Sequence, residues 1–165
     1  MDFSSIDDIK AYGFIGFKTV ADLILDSSCL PNQMGVYFVL HMGKKPPMYL
    51  PVGSGGHFKG KDPNVSTDVL RANWIANTHV VYIGKAGGTG RSATIKSRLK
   101  QYLNFGQGKN VGHWGGRLIW QLSTHRDLVI CWKSLMTQEP RDVEEQLLRM
   151  FIKNHGSRPF ANLVT

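Results

Sequence analysis

The fold is decided by residues 79–102, which read HVVYIGKAGGTGRSATIKSRLKQY. The β-branched and aromatic run 80–83 ends at Gly84, a pattern typical of a buried strand followed by a turn. Apolar residues then recur at the spacing of one helix face, at Ile95, Leu99, Tyr102 and Leu103. The sequence therefore predicts a strand, a glycine-rich turn and a helix.

Three side chains of this unit are candidates for a functional site. Lys85 lies at the end of the strand, and Arg98 and Tyr102 lie four residues apart on the helix. Residues at that spacing project from neighbouring turns onto one patch. We therefore expect two cations and a phenol to cluster.

Positive charge is unevenly distributed along the chain. Its 165 residues contain 20 Lys and Arg against 12 Asp and Glu, which gives a formal net charge of +8. From Val69 to Arg126 there is no acidic residue, while nine basic residues occur. A segment of one sign and this length favours a polyanionic partner such as nucleic acid. A basic surface without such a partner is the alternative.

Length and composition exclude several classes of protein. The chain has the length and apolar content of one globular domain. Cys29 and Cys131 lie far apart in the sequence, which supports neither a disulfide framework nor a cysteine-rich zinc site. We expect both thiols to be reduced and buried. Because the chain shows neither a leader-like N-terminus nor an apolar run of membrane-spanning length, we expect a cytoplasmic protein without a membrane partner.

The first half of the chain predicts a helical segment, a strand and a long connection. Residues 1–30 predict two short helices interrupted at 13–16, packed on the same domain. The run GVYFVL at 35–40 predicts a strand beside 80–83. The connection 41–78 is rich in Gly, Pro and Lys, and such a segment is usually functional or mobile. A plain surface excursion is an equal alternative, and a short helix is predicted within it at 66–74.

The second half predicts a hairpin and a last helix. The apolar runs 118–122 and 128–132 are separated by polar residues, which favours two hairpin strands. A helix is predicted from Pro140 to a C-terminal cap at Gly156. Within it Glu144 falls on the apolar arc, where a carboxylate costs free energy unless it is paired or binds a cation. Its partner is either a metal ion or a buried arginine, for which Arg98 is the candidate.

Two tripeptides in the sequence resemble the signature of the GIY-YIG nucleases. They are Gly35-Val36-Tyr37 and Tyr82-Ile83-Gly84. Further residues of the family's pattern follow in its order, at Lys85, Arg98, Tyr102, Glu144 and Asn162. The resemblance covers residues 35–163. It departs from the family at Val36, which replaces Ile, and in the connection 41–78, which is much longer than the family's usual turn.

The resemblance implies an α+β fold with a small central antiparallel sheet of about three strands flanked by helices. It implies that a nuclease domain spans 31–165 and contains the insertion 41–78. The helical segment 1–30 precedes this domain in the sequence. The catalytic residues that it implies are Tyr37, Tyr82, Lys85, Arg98, Tyr102, Glu144 and Asn162.

The resemblance also implies a role for each of these residues. Glu144 would hold one Mg²⁺ or Mn²⁺, and Arg98 would clamp the scissile phosphate. Tyr37 would act as general base, which requires its phenol pKa to be lowered by the ion, Lys85 or Arg98. Tyr82 and Tyr102 would orient water or phosphate. Asn162 would steady the site by hydrogen bonds.

We therefore expect a metal-dependent endonuclease that hydrolyses phosphodiester bonds in DNA. Candidate substrate contacts are the basic residues and one histidine around the predicted site and in the insertion, at Lys59, Lys61, Arg91, Lys96, Lys109 and His113. A homodimer is one way for so short a chain to gain specificity. The alternatives are a nucleic-acid-binding module that has lost catalysis and a nuclease directed at RNA, because phosphate contacts do not distinguish the two sugars.

Overall fold

The computed structural model describes residues 1–163, which form an α+β fold with an antiparallel sheet flanked by helices. The strands are β1 (Ile15–Thr19), β2 (Gly35–Leu40), β3 (Val80–Ala86) and β4 (Val129–Ser134). The α-helices are α1 (Ile6–Ala11), α2 (Val20–Leu25), α3 (Thr67–Asn73), α4 (Ile95–Gly106) and α5 (Pro140–His155). Short 3₁₀ turns lie at Phe58–Gly60, Arg117–Gln121 and His125–Asp127.

The predicted fold class is confirmed, with four strands where about three were expected. The strand order is β1-β4-β2-β3, and every neighbouring pair is antiparallel. Along the pair β2–β3, Tyr37 lies opposite Gly84 and Val39 lies opposite Tyr82. This order places β3 at one edge of the sheet, beside the fully buried β2.

Both faces of the sheet are covered, which explains why β2 is buried along its whole length. On one face Tyr37 and Val39 pack in a core cluster that includes the buried side of α4. On the other face Val36 and Phe38 pack with α1 and α5. The two faces therefore present side chains to α4 and to α5 respectively, and this division sets the layout of the site.

The C-terminal segment covers part of the outer edge of β3. The backbone amide of Ala161 donates to the carbonyl oxygen of Val81 at 2.9 Å. The Asn162 side chain accepts from the Ile83 amide and donates to the Ile83 carbonyl oxygen, both at 2.8 Å. These bonds satisfy backbone groups that an edge strand otherwise presents to solvent. The covered part of the edge ends shortly before Lys85.

The prediction of helices alone for residues 1–30 is wrong, because β1 lies between α1 and α2. It pairs with β4, and the register shifts between Ile15 and Lys18. Gly16 and Phe17 both have positive φ at that shift. A bulge of this kind breaks the two-residue alternation by which a strand is recognised in a sequence.

The predicted hairpin is also wrong in its first half. The run 128–132 falls mainly in β4, but the run 118–122 forms most of a 3₁₀ turn whose residues Leu118 to Gln121 are all buried. A short apolar run that is buried on all sides has the same sequence pattern in a strand and in a turn, so periodicity does not separate them.

The connection between β2 and β3 is anchored to the rest of the domain by Gln121. This buried side chain donates to the carbonyl oxygens of Leu50 and Val65 at 3.0 and 2.8 Å and accepts from the Val65 amide at 2.9 Å. The Gly56 amide donates to the Phe105 carbonyl oxygen at 2.9 Å. The predicted short helix within this connection is confirmed as α3.

Two further expectations concern the burial of the two cysteine thiols and the length of the apolar segments. Cys131 is buried, and burial raises the pKa of its thiol. The expectation of a buried thiol is wrong for Cys29, which is exposed at the surface. No helix within residues 1–163 is long and apolar enough to cross a membrane.

Candidate active site at the edge of strand β3

A cavity of about 270 Å³ opens where β3, α4 and α5 meet. Four of the predicted catalytic side chains line it, Tyr82, Lys85, Arg98 and Glu144. These four side chains bring a phenol and two cations together with one carboxylate, and Arg91 adds a third cation to the lining. Residues that lie more than 60 positions apart in the sequence contribute to it, because β3 is the edge strand between the two helical layers.

Alternation along β3 explains how the strand serves both layers. Tyr82 packs in the cluster on the α4 face, whereas Ile83 packs in the cluster on the α5 face. Lys85 lies two residues after Ile83 and therefore projects toward α5. There its ammonium group forms an ion pair with the Glu144 carboxylate. Tyr82 and Lys85 consequently reach the cavity from opposite faces of one strand.

Glu144 is well shielded from solvent, as its position on the apolar arc predicts. Only 15% of its side chain is exposed, and its neighbours on that arc, Val143 and Leu147, are buried. The suggested pairing of Glu144 with Arg98 is wrong, because the partner is Lys85. Arg98 instead donates from Nη1 to the Gln101 side chain at 3.3 Å. Its guanidinium group therefore faces the same cavity without a carboxylate partner among the residues that the structure describes.

Of the described side chains, Glu144 is the single carboxylate that lines the cavity, and it could hold a magnesium ion only together with water and substrate. Within residues 1–163 no group of three or more His, Cys, Asp or Glu side chains is placed to hold a metal ion. A complete protein cage is therefore not available in this part of the chain. Mg²⁺ is commonly bound by one or two carboxylates together with waters and phosphate oxygens. Lys85 pairs with Oε2 of Glu144, and the carboxylate borders a cavity large enough for such ligands.

The three predicted tyrosines form one aromatic cluster behind the cavity. The ring centroids of Tyr37 and Tyr82 are 6.1 Å apart, and those of Tyr82 and Tyr102 are 5.7 Å apart. Tyr102 is fully buried and donates its hydroxyl hydrogen to the Gly116 carbonyl oxygen at 2.9 Å. Of the three, only Tyr82 lines the cavity.

The ionisation of these phenols differs from the sequence expectation. Burial raises the pKa of Tyr37 well above its ordinary value, and the nearby Arg98 only partly opposes this effect. Burial also raises the pKa of Tyr82 to about 12, with Glu144 acting in the same direction. The proximity of the two phenols contributes to the raised pKa of Tyr37, and Tyr37 and Arg98 partly oppose the rise in the pKa of Tyr82. The expected lowering of the Tyr37 pKa is therefore absent in the protein alone.

Asn162 lies behind β3 and reaches the site through the backbone. Its amide group makes two hydrogen bonds with Ile83, the residue between Tyr82 and Gly84. Both the oxygen and the nitrogen of the side chain are thereby engaged. Asn162 therefore holds the strand that carries Tyr82 and Lys85.

The predicted substrate contacts lie at different distances from the cavity. Arg91 lines it, in the turn between β3 and α4. Lys59 and Lys61 are exposed in the insertion, where the Lys59 ammonium lies 5.4 Å from the centre of the Phe58 ring. Lys96 is half-buried at the start of α4, and the exposed Lys109 donates to the Asn104 side chain at 3.0 Å.

His113 is not placed to contact a substrate at the surface, because its side chain is fully buried. Its ring stacks on Tyr102 with a centroid separation of 4.4 Å. Burial lowers the pKa of His113 well below its usual value, and the Arg98 guanidinium acts in the same direction. The histidine is therefore a neutral part of the aromatic cluster at neutral pH.

Two features of the site were missed in the sequence. Glu139, just before α5, accepts from the backbone amide and the hydroxyl of Thr89 at 3.0 and 2.9 Å, and so fixes the glycine-rich turn. The Arg117 guanidinium lies 4.4 Å from the centre of the Trp114 ring, in a loop that touches Tyr82. Glu139 has no local signal, since its partner lies 50 residues away. The Trp and Arg three residues apart in a glycine-rich loop were a signal that could have been used.

Comparison of the chain with models of protein families, with curated proteins and with solved structures finds no match in any of the three.

Proposed function

We propose that this protein is a metal-dependent endonuclease of the GIY-YIG type that hydrolyses phosphodiester bonds in DNA. The observation that carries the proposal is the cavity at the edge of β3, which is lined by a phenol, three cations and a shielded carboxylate. Hydrolysis of a phosphodiester requires an activated water, positive charge against the phosphate and support for the leaving oxygen. The side chains of this cavity are of the types that can meet these requirements.

The arrangement of the two tripeptides supports the proposal. They lie on the neighbouring strands β2 and β3 and pair with each other, with Tyr37 opposite Gly84. Gly84 admits the Tyr37 ring, because a Cβ atom at this position would lie 2.4 Å from Tyr37 Cζ. The residues that resemble the family's pattern therefore also form one packing unit in three dimensions.

Each charged side chain has a distinct part in the proposed reaction. Arg98 binds the scissile phosphate with its planar guanidinium group. Lys85 lies against Glu144 and adds a second positive charge at the same end of the cavity. Glu144 would hold Mg²⁺ or Mn²⁺, which when bound supplies positive charge and ordered water at the phosphate.

The two tyrosines act together in the proposed proton transfer. Tyr82 lines the cavity, and the Tyr37 ring lies behind it at a centroid distance of 6.1 Å from the Tyr82 ring. We assign the contact with the attacking water to Tyr82. Its phenol first releases its own proton to solvent in the cavity, and the phenolate then accepts the proton of the attacking water. Tyr37 lowers the pKa of Tyr82 and so favours this phenolate. This assignment exchanges the roles expected from the sequence, and it is favoured by the greater burial of Tyr37.

The basic surface around the cavity supports a nucleic acid as substrate. Arg91, Arg98 and Lys85 line the cavity itself, and the insertion adds exposed lysines. A DNA duplex and a homodimer that cuts both strands remain parts of the proposal, as does a cytoplasmic location.

A second candidate function is a nucleic-acid-binding module without catalysis. One specific observation favours it, namely that Lys85 already pairs with the carboxylate that would bind the metal ion. The raised pKa of Tyr37 points the same way. A module of this kind would bind nucleic acid through the same basic surface and leave it intact.

The experiment compares cleavage and binding by the same preparations. Supercoiled plasmid and labelled single-stranded, duplex, branched DNA and matched RNA are incubated with Mg²⁺, Mn²⁺ or EDTA. The unaltered protein, Glu144→Gln and the control Asp142→Asn, at an exposed position of α5 that lines neither this cavity nor its neighbouring groove, are tested in parallel. The proposal expects metal-dependent products that Glu144→Gln abolishes and Asp142→Asn preserves, with binding retained. Binding without cleavage would favour the binding module. Cleavage of RNA alone would show that the substrate is RNA and not DNA.

A further inference from the structure

A second, larger groove continues from the proposed active site along α5. Its volume is about 800 Å³, and it shares Lys85, Gly87, Arg91 and Glu144 with the smaller cavity. The shared residues make the two spaces contiguous. A ligand that extends beyond the smaller cavity in this direction therefore enters the groove.

Three arginines line the far part of this groove, and none of them was singled out in the sequence. Arg141 and Arg149 lie on α5, and Arg158 follows the end of that helix. Arg141 and Arg149 have 73% and 81% of their side chains exposed. Arg158 is also exposed and has no carboxylate within ion-pair distance in the described part of the chain. The guanidinium groups are thus accessible to a ligand in the groove.

Glu145 is shared between two of these arginines. Its Oε1 lies 3.2 Å from Nε of Arg141, and its Oε2 lies 3.7 Å from Nη2 of Arg149. One carboxylate therefore balances two guanidinium groups that stand one turn before and one turn after it. Each arginine keeps donors that this single carboxylate does not use, because a guanidinium group has five.

The charge of the groove favours an anion. Five basic side chains and three carboxylates line it, which leaves a surplus of two positive charges. All three carboxylates are engaged by side chains of the groove itself, Glu139 by Thr89, Glu144 by Lys85, and Glu145 by Arg141 and Arg149. The groove also includes Leu148 and the partly exposed Ile152. Apolar side chains between cations suit a strand whose sugars alternate with phosphates.

We propose that this groove is a subsite for the nucleic-acid strand beyond the scissile phosphate. Arg141, Arg149 and Arg158 bind successive phosphates, and Glu145 holds the first two guanidinium groups in place when the groove is empty. The proposal rests on the proposed function in that it places the scissile phosphate in the smaller cavity. It adds the direction in which the strand leaves that cavity.

The first test removes the cations one at a time. Binding of a labelled DNA duplex to Arg149→Ala and to Arg158→Ala is measured by fluorescence anisotropy over a salt series in EDTA, so that no cleavage occurs. We expect each variant to lose about five- to tenfold in affinity near 0.1 M salt and to reduce the slope of log K against log salt by about 1. Arg126→Ala, an exposed arginine that lines neither cavity, is the control with the same change in net charge. Equal affinities and slopes for all three variants would overturn the proposal.

The second test removes the carboxylate and keeps its size. Glu145→Gln frees both guanidinium groups, so we expect affinity to rise several-fold and the salt slope to steepen. If the ion pairs serve only to stabilise α5, the melting temperature falls and the affinity does not rise. That result would overturn the proposal. Because the substituted residues are largely exposed, the variants are expected to fold, which circular dichroism checks.

The two proposals fail in different ways. If the protein cuts DNA but the α5 arginine variants bind like Arg126→Ala, the subsite is wrong and the nuclease stands. If those variants lose affinity and salt dependence but no substrate is cut, the subsite stands and the nuclease is wrong. Absence of any nucleic-acid binding by the unaltered protein would overturn both.

Discussion

Tyr37 lies directly opposite Gly84 in the pairing of β2 with β3, and its ring covers the glycine. A Cβ atom at Gly84 would lie 2.4 Å from Cζ and 2.6 Å from the hydroxyl oxygen of Tyr37. Contact this close requires the absence of a side chain. The glycine of one tripeptide thus fixes the tyrosine of the other, and the pair places the Tyr37 hydroxyl behind Tyr82.

The substitution Gly84→Ala is therefore expected to destabilise the protein. The added methyl group must displace the Tyr37 ring, which is held by packing in the interior, and overpacking of this kind costs about 1–3 kcal/mol. Urea unfolding followed by tryptophan fluorescence measures the change. Gly112→Ala is the matched control, because a Cβ there has ordinary contact with Phe58 at 3.4 Å. Equal stability of the two variants would show that the ring moves away without cost.

The Lys85–Glu144 pair is expected to contribute to stability as well as to the site. With 31% and 15% of their side chains exposed, the two groups are shielded enough for a coupling energy of about 1–2 kcal/mol. A double-mutant cycle with Lys85→Met and Glu144→Gln measures that energy by urea unfolding. The Arg71–Asp68 pair, with 65% and 90% exposed, is the control and should couple by about 0.5 kcal/mol or less. Similar couplings in the two pairs would contradict the shielding argument.

Much of the site could be predicted from the sequence because the informative patterns were local. The strand from Val80 and the helix that begins at Ile95 are both observed, although the strand continues through Gly84 to Ala86 and does not stop at the glycine. Glu144 was singled out because its position on the apolar arc demands a partner. The structure confirms that the carboxylate is shielded and paired.

The identity of Lys85 as the partner of Glu144 could not be predicted, because it depends on which face of β3 turns toward α5. The same limit explains the missed contact of Glu139 with Thr89, whose residues approach only after α5 docks on the sheet. The missed strand β1 has a different cause, since its bulge at Gly16 and Phe17 removes the alternation that marks a strand. The raised pKa of Tyr37 follows from burial of its phenol. The sequence prediction considered only the neighbouring charges, and these do not indicate how deeply the ring is buried.

Gln121→Leu is expected to release the insertion from the domain. The substitution leaves three hydrogen-bonding groups of Leu50 and Val65 without their partner, and each orphaned buried group costs about 1–3 kcal/mol. Amide hydrogen exchange at Val65 and limited proteolysis between β2 and β3 should both accelerate. Gln107→Leu, which loses one bond at an exposed position on the end of α4, should leave them unchanged. Unaltered exchange in Gln121→Leu would show that packing alone holds the insertion.

The proposed roles of the tyrosines predict unequal kinetic effects. Tyr82→Phe removes the hydroxyl that faces the cavity and should lower kcat by about 100-fold or more. Tyr37→Phe removes a hydroxyl that lies behind the cavity and only supports Tyr82, and should lower kcat by a smaller factor. Single-turnover cleavage with saturating enzyme separates these effects from binding. A larger loss in Tyr37→Phe would return the general-base role to that residue.

His113 predicts how stability depends on pH. Its pKa is depressed in the folded protein, so below its ordinary pKa of about 6.5 the unfolded chain binds a proton that the folded protein does not. Stability therefore falls as the pH decreases below about 6.5, by up to about 1.4 kcal/mol per pH unit for this one proton. Above that pH the histidine is neutral in both states and contributes no slope.

The variant His113→Leu tests whether this histidine makes stability fall as the pH decreases, because leucine has a similar volume and does not titrate. Unfolding free energies measured between pH 5 and pH 8 should fall less steeply in the variant than in the unaltered protein. Burial also lowers the pKa of His41 and His155, so part of the slope is expected to remain. If His113→Leu retains the full slope, the buried ring accepts a proton without unfolding, and the aromatic cluster behind the site is then open to water at acid pH.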